Sequence, residues 1–312
     1  MDMTDKEISK IVLTRFGSRS NVRGFLAIAT DYSVIAITIV ASEWIRVSCP
    51  SWLFYSAYSA ACLILASRYR GLEILVHEAS HNNVFGTRSL NRKLQFLFAY
   101  PVFLHVQSYV GIHMAHHQQI GDFDNDPDIL IYKKWGLDKL PENKIWVLYV
   151  RPLILFFTLD YFRSTFANYW RIKADRLSKV IYWAAVLAVL YYLDAWSIVF
   201  VYYVIPFFIL LPILRFHARA NEHTAVDFNF AHKSARNNLG FFQTYILHPH
   251  GDGYHQIHHL YPSVPFYNLP KVHRFLLDNN REYIDSYNFI HSLRLMEAGC
   301  KEPLIKQPKT SW

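Results

Sequence analysis

The chain has 312 residues, of which 52% are hydrophobic, 17% aromatic and only 18% charged, where a soluble domain carries about 25% charge. That composition excludes a disordered chain, and the lack of a glycine period or long heptads excludes collagen and coiled coil. The three cysteines, Cys49, Cys62 and Cys300, have neither the number nor the spacing of a disulfide framework or a zinc finger. A net charge of +8 fits nucleic acid or an anionic membrane surface; the long apolar runs decide for the membrane and against nucleic acid.

The first 20 residues are polar and mixed in charge, which is not the pattern of a signal peptide. A bilayer-crossing helix needs about 20 mostly apolar residues. The first such segment is 25–45, interrupted by Asp31. The second is 52–70, joined to the first by the tight connection Cys49-Pro50-Ser51. Two apolar stretches at 94–110 and 145–159 contain Pro101, His105 and Gln107, or Arg151 and Pro152, and are predicted as interfacial or re-entrant helices. The third span, 180–194, is short for a full crossing. The fourth, 197–214, is expected to be broken by Pro206 and Pro212, with 194–196 as the hairpin between the last two. Beyond about Glu297 the chain is polar and is expected to be a loosely held end.

Positive charge orients such a protein. Lys6, Lys10, Arg15, Arg19 and Arg23 precede the first span; Arg68, Arg70, Arg88, Arg92 and Lys93 follow the second; Arg215 and Arg219 follow the fourth. The two hairpin tips carry little positive charge. The predicted fold is therefore all-α and integral to the membrane: about four transmembrane helices as two hairpins, supporting a cytosolic helical cap, with both termini cytoplasmic. No Pro/Ser/Gly linker divides the chain, so 1–312 reads as one domain.

Sixteen histidines are present. Six lie in 77–117 and eight in 217–259, with none in 118–216 between them. An even number of spans separates the two blocks, which puts both on the same side. Three boxes stand out: His77-Glu-Ala-Ser-His81, His113-Met-Ala-His116-His117 and His255-Gln-Ile-His258-His259. Residues three and four apart share a helix face, so His77 and His81 suit one metal. In the other two boxes the adjacent histidines differ by about 100°, so they can point at two neighbouring metals. Eight imidazoles buried without metal would be poorly satisfied. A ninth ligand is available at His223, just after the fourth span, with His217, His248 and His250 as rivals. Neutral imidazole suits iron, zinc, copper and nickel. His105, His232, His273 and His291 read as ordinary polar residues.

Nearby carboxylates can orient an imidazole by accepting its second N–H. Glu222, beside His223, and Asp252, three residues before His255, are the leading candidates. Glu78 and the acidic run Asp122, Asp124, Asp126 and Asp128 follow them. Gly251 and Gly253 shape the turn into the third box, and Pro262 and Pro265 end its helix. The aromatic residues flanking the spans, such as Trp44, Trp52 and Trp196, read as interface anchors.

The boxes HEASH, HMAHH and HQIHH, with HHLYPSVPFYNLPKVH around and after the third, resemble those of the membrane fatty acid desaturase family, which is similar to membrane hydroxylases and carotenoid ketolases. The resemblance runs from about Gly71 to His273. It implies a non-haem diiron centre with ligands His77, His81, His113, His116, His117, His255, His258 and His259, and an extra histidine placed at His223. It also implies oxygen as co-substrate and an apolar acyl or lipid-like substrate. Gln256-Ile257 stands where many relatives have Leu-Glu, and Arg219 stands where some have asparagine, so the pattern leaves the substrate open.

The expected reaction is oxygen-dependent introduction of a C=C bond into a fatty acyl or lipid chain. Hydroxylation or ketolation at the same site, or desaturation of a small amino-acid-derived metabolite, are the alternatives. A membrane zinc hydrolase is more remote, because three ligands and an open position suffice for it. No Gly-x-Gly-x-x-Gly, cysteine cluster or fused cytochrome domain is visible, so a separate ferredoxin or cytochrome b5 type donor is predicted to supply the electrons.

Overall fold

A computed structural model describes residues 4–279, except 142, 143, 145, 146, 154, 174, 225, 227 and 230–233. His232, His291, Cys300 and the C-terminal tail lie outside the described residues. The described chain is helical, without a β-strand.

Helix α1 (Asp5–Phe16) starts at a reciprocal cap. The Thr4 hydroxyl accepts from the Glu7 backbone, and the Glu7 carboxylate accepts from the Thr4 N–H, which satisfies two otherwise unpaired groups at the helix start. Helices α2 (Asn21–Ser48) and α3 (Ser51–Ser80) form an antiparallel pair around Cys49-Pro50. The second span and the first histidine box belong to one uninterrupted helix. Its 30 residues measure roughly 45 Å at 1.5 Å per residue, about 15 Å more than a hydrocarbon core needs. The additional turns are the only part of α3 buried on every side, from Tyr69 to Ser80.

The stretch 94–110 is not one helix. It consists of short 3₁₀ turns, Gln95–Leu97 and Tyr100–Val102, then Phe103 in a left-handed conformation (φ 52°). Pro101 removes a helix-propagating N–H, and regular structure resumes only where the His105 ring accepts from Ser108 N–H to cap α4 (Val106–Gln118). Asp126 caps α5 (Pro127–Lys134), with proline at the favourable first position. Of the stretch 145–159, the described part divides between the turns Val147–Val150 and Arg151–Leu153 and the start of α6 (Leu155–Arg171).

Helix α7 (Arg176–Tyr192) pairs with α8 (Trp196–Glu222) across a turn at Asp194. Pro206 and Pro212 do not break α8. Two π-helical stretches precede them, Phe200–Val204 before Pro206 and Pro206–Leu210 before Pro212, and their wider turns accommodate missing donors. The short α9 (His255–Leu260) and α10 (Leu269–Asn279) close the fold. Helix α10 lies against α1, with Phe16 and Phe275 ring centroids 6.0 Å apart.

Helices α2 and α8 are each long and apolar enough to cross a membrane. Helix α3 has its apolar half diluted by Tyr55, Ser56, Tyr58 and Ser59. Helix α7, with 17 residues, spans about 26 Å against a core of about 30 Å. Large apolar side chains are exposed along α2 (Ile37, Val40, Val47) and α7 (Ile181, Leu187, Val189), a distribution suited to lipid rather than water. Asp31, read from sequence as an interruption, is fully buried. It accepts from His250 Nε2 at 2.7 Å and pairs with Arg68 at 3.2 Å, so it ties α2 to α3 and to the segment before the third box.

Candidate metal centre

Four elements bring nine histidines to one place. Helix α3 supplies His77 and, at its C-terminal end, His81. Helix α4 supplies His113, His116 and His117. His223 ends α8, and α9 supplies His255, His258 and His259. The rings sort into two groups: His77, His81, His113, His117 and His258 in one, and His116, His223, His255 and His259 in the other. Within each group the donor nitrogens all lie within 4.8 Å of one another.

The sorting follows helix geometry. His113 and His117, four apart, face one group, while His116 between them is rotated into the other. On α9, His255 and His259 face the second group and His258 the first. In the first group, His81 Nε2 is 2.8 Å from His113 Nε2, and His117 Nε2 is 3.1 Å from His113 and 3.0 Å from His258. In the second, His116 Nε2 is 3.2 Å from His223 and 3.3 Å from His259, and His255 Nε2 is 3.0 Å from His223 and from His259. The groups adjoin, with the His117 and His259 ring centroids 4.5 Å apart.

The opposite ring nitrogens have different surroundings. His116 Nδ1 donates to Asp126 Oδ1 at 2.8 Å, and His223 Nδ1 to the Ser234 carbonyl at 2.8 Å. His77 Nδ1 stands 3.5 Å from Glu78 and 3.8 Å from Asp252, too far for a hydrogen bond. Both nitrogens of His77, and Nδ1 of His255 and His258, are buried without a hydrogen-bond partner among the described residues. Buried polar atoms are seldom left so.

Burial keeps the imidazoles neutral. It lowers His77 to about 4 and His81 to about 3, with neighbouring histidines adding to the effect in each. His117 falls to about 3 and His223 to about 4 for the same reasons. His113, His255, His258 and His259 lie well below the usual histidine value. His116 differs: burial lowers it, but the charge of Asp128 and the Asp126 hydrogen bond outweigh burial and raise it. Burial also pushes Glu78 up to about 8, so its carboxyl is protonated at neutral pH.

The other sequence candidates fall as follows. Asp252 accepts from His248 Nδ1 and Arg70, both at 2.9 Å. Glu222 reaches Arg70 at 3.8 Å and hydrogen-bonds no imidazole among the described residues; the Ser234 carbonyl holds His223 instead. Asp126 is the carboxylate bonded to a box histidine, while Asp122 and Asp124 form an exposed turn. Of the rivals to His223, His248 is engaged by Asp252 and His250 by Asp31, and His217 is in neither group. His105 is buried between its cap and Asp175, 2.7 Å away, and His273 packs on Tyr254.

A charged layer beside the histidines escaped the sequence reading. Arg70 and Glu73 precede His77 by seven and four residues on α3. Arg215 and Arg219 precede His223 by eight and four on α8. Arg215 pairs with Glu73 at 2.7 Å, Tyr161 donates to the same carboxylate at 2.7 Å, and Arg219 pairs with Asp128. Counting back in helical steps from the histidines was the available signal.

The sequence profile of the fatty acid desaturase family matches residues 50–291. Dihydrorhizobitoxine desaturase of Bradyrhizobium elkanii is 28% identical over 277 residues, covering 83% of this chain and 76% of the relative. Sphingolipid delta(4)-desaturase/C4-monooxygenase of Bos taurus is 28% identical over 244 residues, covering 77% and 70%. Its Homo sapiens counterpart is 25% identical over 263 residues, covering 83% and 75%. Built around two buried histidine groups able to hold metal, this chain is an oxidoreductase that belongs to the fatty acid desaturase family.

Proposed function

We propose that the nine histidines hold two iron ions and that the protein is a membrane-bound, oxygen-dependent desaturase. His77, His81, His113, His117 and His258 would hold one ion, and His116, His223, His255 and His259 the other. The observation that carries this reading is the convergence of nine imidazoles from four helices into two adjoining groups. The donor set fits. All-nitrogen imidazole ligation suits iron, and most of the rings are neutral with lone pairs free. Two nitrogens at right angles, each about 2.1 Å from one ion, are roughly 3.0 Å apart, and the neighbouring Nε2 atoms lie 2.8–3.3 Å apart.

Bound iron supplies oxygen-derived oxidising power able to take two hydrogens from adjacent saturated carbons. The chain's own residues orient and enclose. Asp126 and the Ser234 carbonyl fix the rings of His116 and His223 and the tautomer each adopts. The buried end of α3 encloses His77. A separate ferredoxin or cytochrome b5 type protein would deliver the electrons.

The same reading takes 1–312 as one domain with four spans, at about 25–45, 52–70, 180–194 and 197–214, and the histidines on the cytoplasmic side. Hydroxylation is the second reading, since a relative is named as both desaturase and monooxygenase. A lipid chain is the family's general substrate, and an amino-acid-derived metabolite is the alternative. The test is metal analysis of anaerobically purified full-length protein, followed by turnover with oxygen, a reduced carrier and candidate substrates. About two irons per chain and a product lighter by two mass units support desaturation, whereas a gain of sixteen supports hydroxylation. One tightly held zinc without oxygen consumption overturns both.

A further inference from the structure

A cavity of about 220 Å³ touches the histidines at His81 alone, between Arg19 and Arg88, whereas one of about 50 Å³ touches both histidine groups. Apart from histidine rings and Tyr109, its wall consists of Arg70, Arg215, Arg219, Asp128, Glu222 and Asp252. No aliphatic side chain is among the described residues that line it. A neighbouring cavity of about 130 Å³ shares Arg215 and Arg219 with it and extends past Lys134 and Asp160 between the apolar Ile131, Pro212 and Phe216. A cavity of about 690 Å³ between Phe96, Tyr100 and Tyr182 includes none of the nine histidines.

Charge opposes a long hydrocarbon here. The inner cavity is smaller than a whole α-amino acid, about 10–15 Å³ being needed for each water-sized group, so a ligand held in it would extend into the neighbouring cavity that shares Arg215 and Arg219. Methylenes pressed against ionised side chains would strip them of the polar partners that burial demands.

The wall's unused bonding capacity indicates what does fit. Glu222, Asp252 and His255 bring their ligating atoms within 4.8 Å of one another. The cation near the two carboxylates is Arg70, 2.9 Å from Asp252 but 3.8 Å from Glu222. Arg70 is 9% exposed, and its Nε has no partner among the described residues. Each guanidinium has five N–H donors, so Arg215 and Arg219 retain donors beyond those used for Glu73 and Asp128.

We infer that this cavity is the substrate site and that the substrate is a small zwitterion, an α-amino acid or close derivative, with its ammonium group at Glu222 and Asp252 and its carboxylate at Arg215 and Arg219. The inference rests on the metal-centre reading above and narrows its substrate class.

The test uses full-length, iron-loaded protein in lipid nanodiscs. Thermal unfolding is followed against increasing L-norvaline, butylamine, valerate or stearate, since a ligand that binds the folded state raises the midpoint. L-norvaline is expected to act at a concentration about ten-fold or more below either half-molecule, because each end contributes a charge-assisted bond. Arg219→Gln should erase the advantage of norvaline over butylamine, and Glu222→Gln its advantage over valerate, with two irons retained in each. Equal potency of the three short probes, a response to stearate alone, or a third divalent ion occupying Glu222, Asp252 and His255 would overturn the inference. If two irons are bound and stearate is desaturated while norvaline has no effect, only the substrate class falls. If no iron is bound, the metal-centre reading falls with it.

Discussion

Replacing Asp126 with asparagine should weaken one metal ion and leave the other. Asp126 is fully buried. Its Oδ1 accepts from His116 Nδ1 at 2.8 Å and from Asp128 N–H at 2.9 Å, and its Oδ2 from Gly121 N–H at 3.0 Å. Asparagine can keep its oxygen in the Oδ1 place, so the His116 bond and the cap of α5 survive; asparagine caps helices as well as aspartate does. The buried Gly121 N–H is left facing the asparagine NH2 without an acceptor, at a cost of about 1–3 kcal/mol, and the negative charge behind the imidazole is lost. Removing a partner of a ligating histidine typically lowers metal affinity 10- to 100-fold, about 1.4–2.8 kcal/mol. The metal-free protein should lose about 1–3 kcal/mol of stability, while anaerobic iron titration against a chromophoric chelator turns biphasic. One equivalent, the ion held with His223, His255 and His259, weakens by that factor. Asp122→Asn, in the exposed turn, is the control and should titrate like the wild type. If both equivalents weaken together, or if D122N matches D126N, the division of the histidines between two ions is wrong.

Three further outcomes are expected. His223→Ala should lose one iron and all turnover, whereas His217→Ala should keep both irons; loss of iron from the second variant would reopen the choice of ninth ligand. Asp31→Ala strands His250 and Arg68 beside a buried vacancy and should cost about 3 kcal/mol, a fall of roughly 6 °C or more in the midpoint of thermal unfolding. Gly71→Ala, whose Cβ would stand 2.8 Å from Asp31 Oδ1, should show a smaller loss of about 1–3 kcal/mol; an unchanged midpoint in both would show that Asp31 is not a structural tie. Chelator-stripped protein should lose stability as pH falls from about 6.5 towards 4. Its depressed histidines, such as His77 and His223 at about 4, take up protons first in the unfolded chain. His116, which is raised, acts with the opposite sign: its contribution is present at low pH and fades as pH rises through its folded value. A metal-free midpoint that is flat between pH 7 and pH 5 would contradict the burial of the rings.

The histidine groups were legible because spacing on a helix fixes direction: the adjacent pairs 116/117 and 258/259 divide between the groups as their 100° offset requires. The helical hairpins were legible from apolar runs, but their ends were not. Hydropathy records composition along a window, whereas the end of α3 is decided by what surrounds it, and its buried turns carry Arg70 and Glu73 as readily as leucine. Asp31 looked like a flaw in an apolar run because its partner, His250, is 219 positions away. The choice between Asp126 and Glu222 as the support of an imidazole likewise depends on loop geometry, which residue order does not express.

The π-helical passage through α8 bears on how this site changes over time. Each wide turn admits one residue more than an α-turn, so it works as a built-in insertion that rotates everything downstream by about 100°. Arg215, Arg219 and His223 all lie downstream. Deleting a single residue between Phe200 and Leu210 would leave the composition of the apolar helix almost untouched while turning that whole face away from the centre. The phase of one greasy helix, rather than any polar residue in it, thus sets whether guanidinium groups look into the reaction chamber.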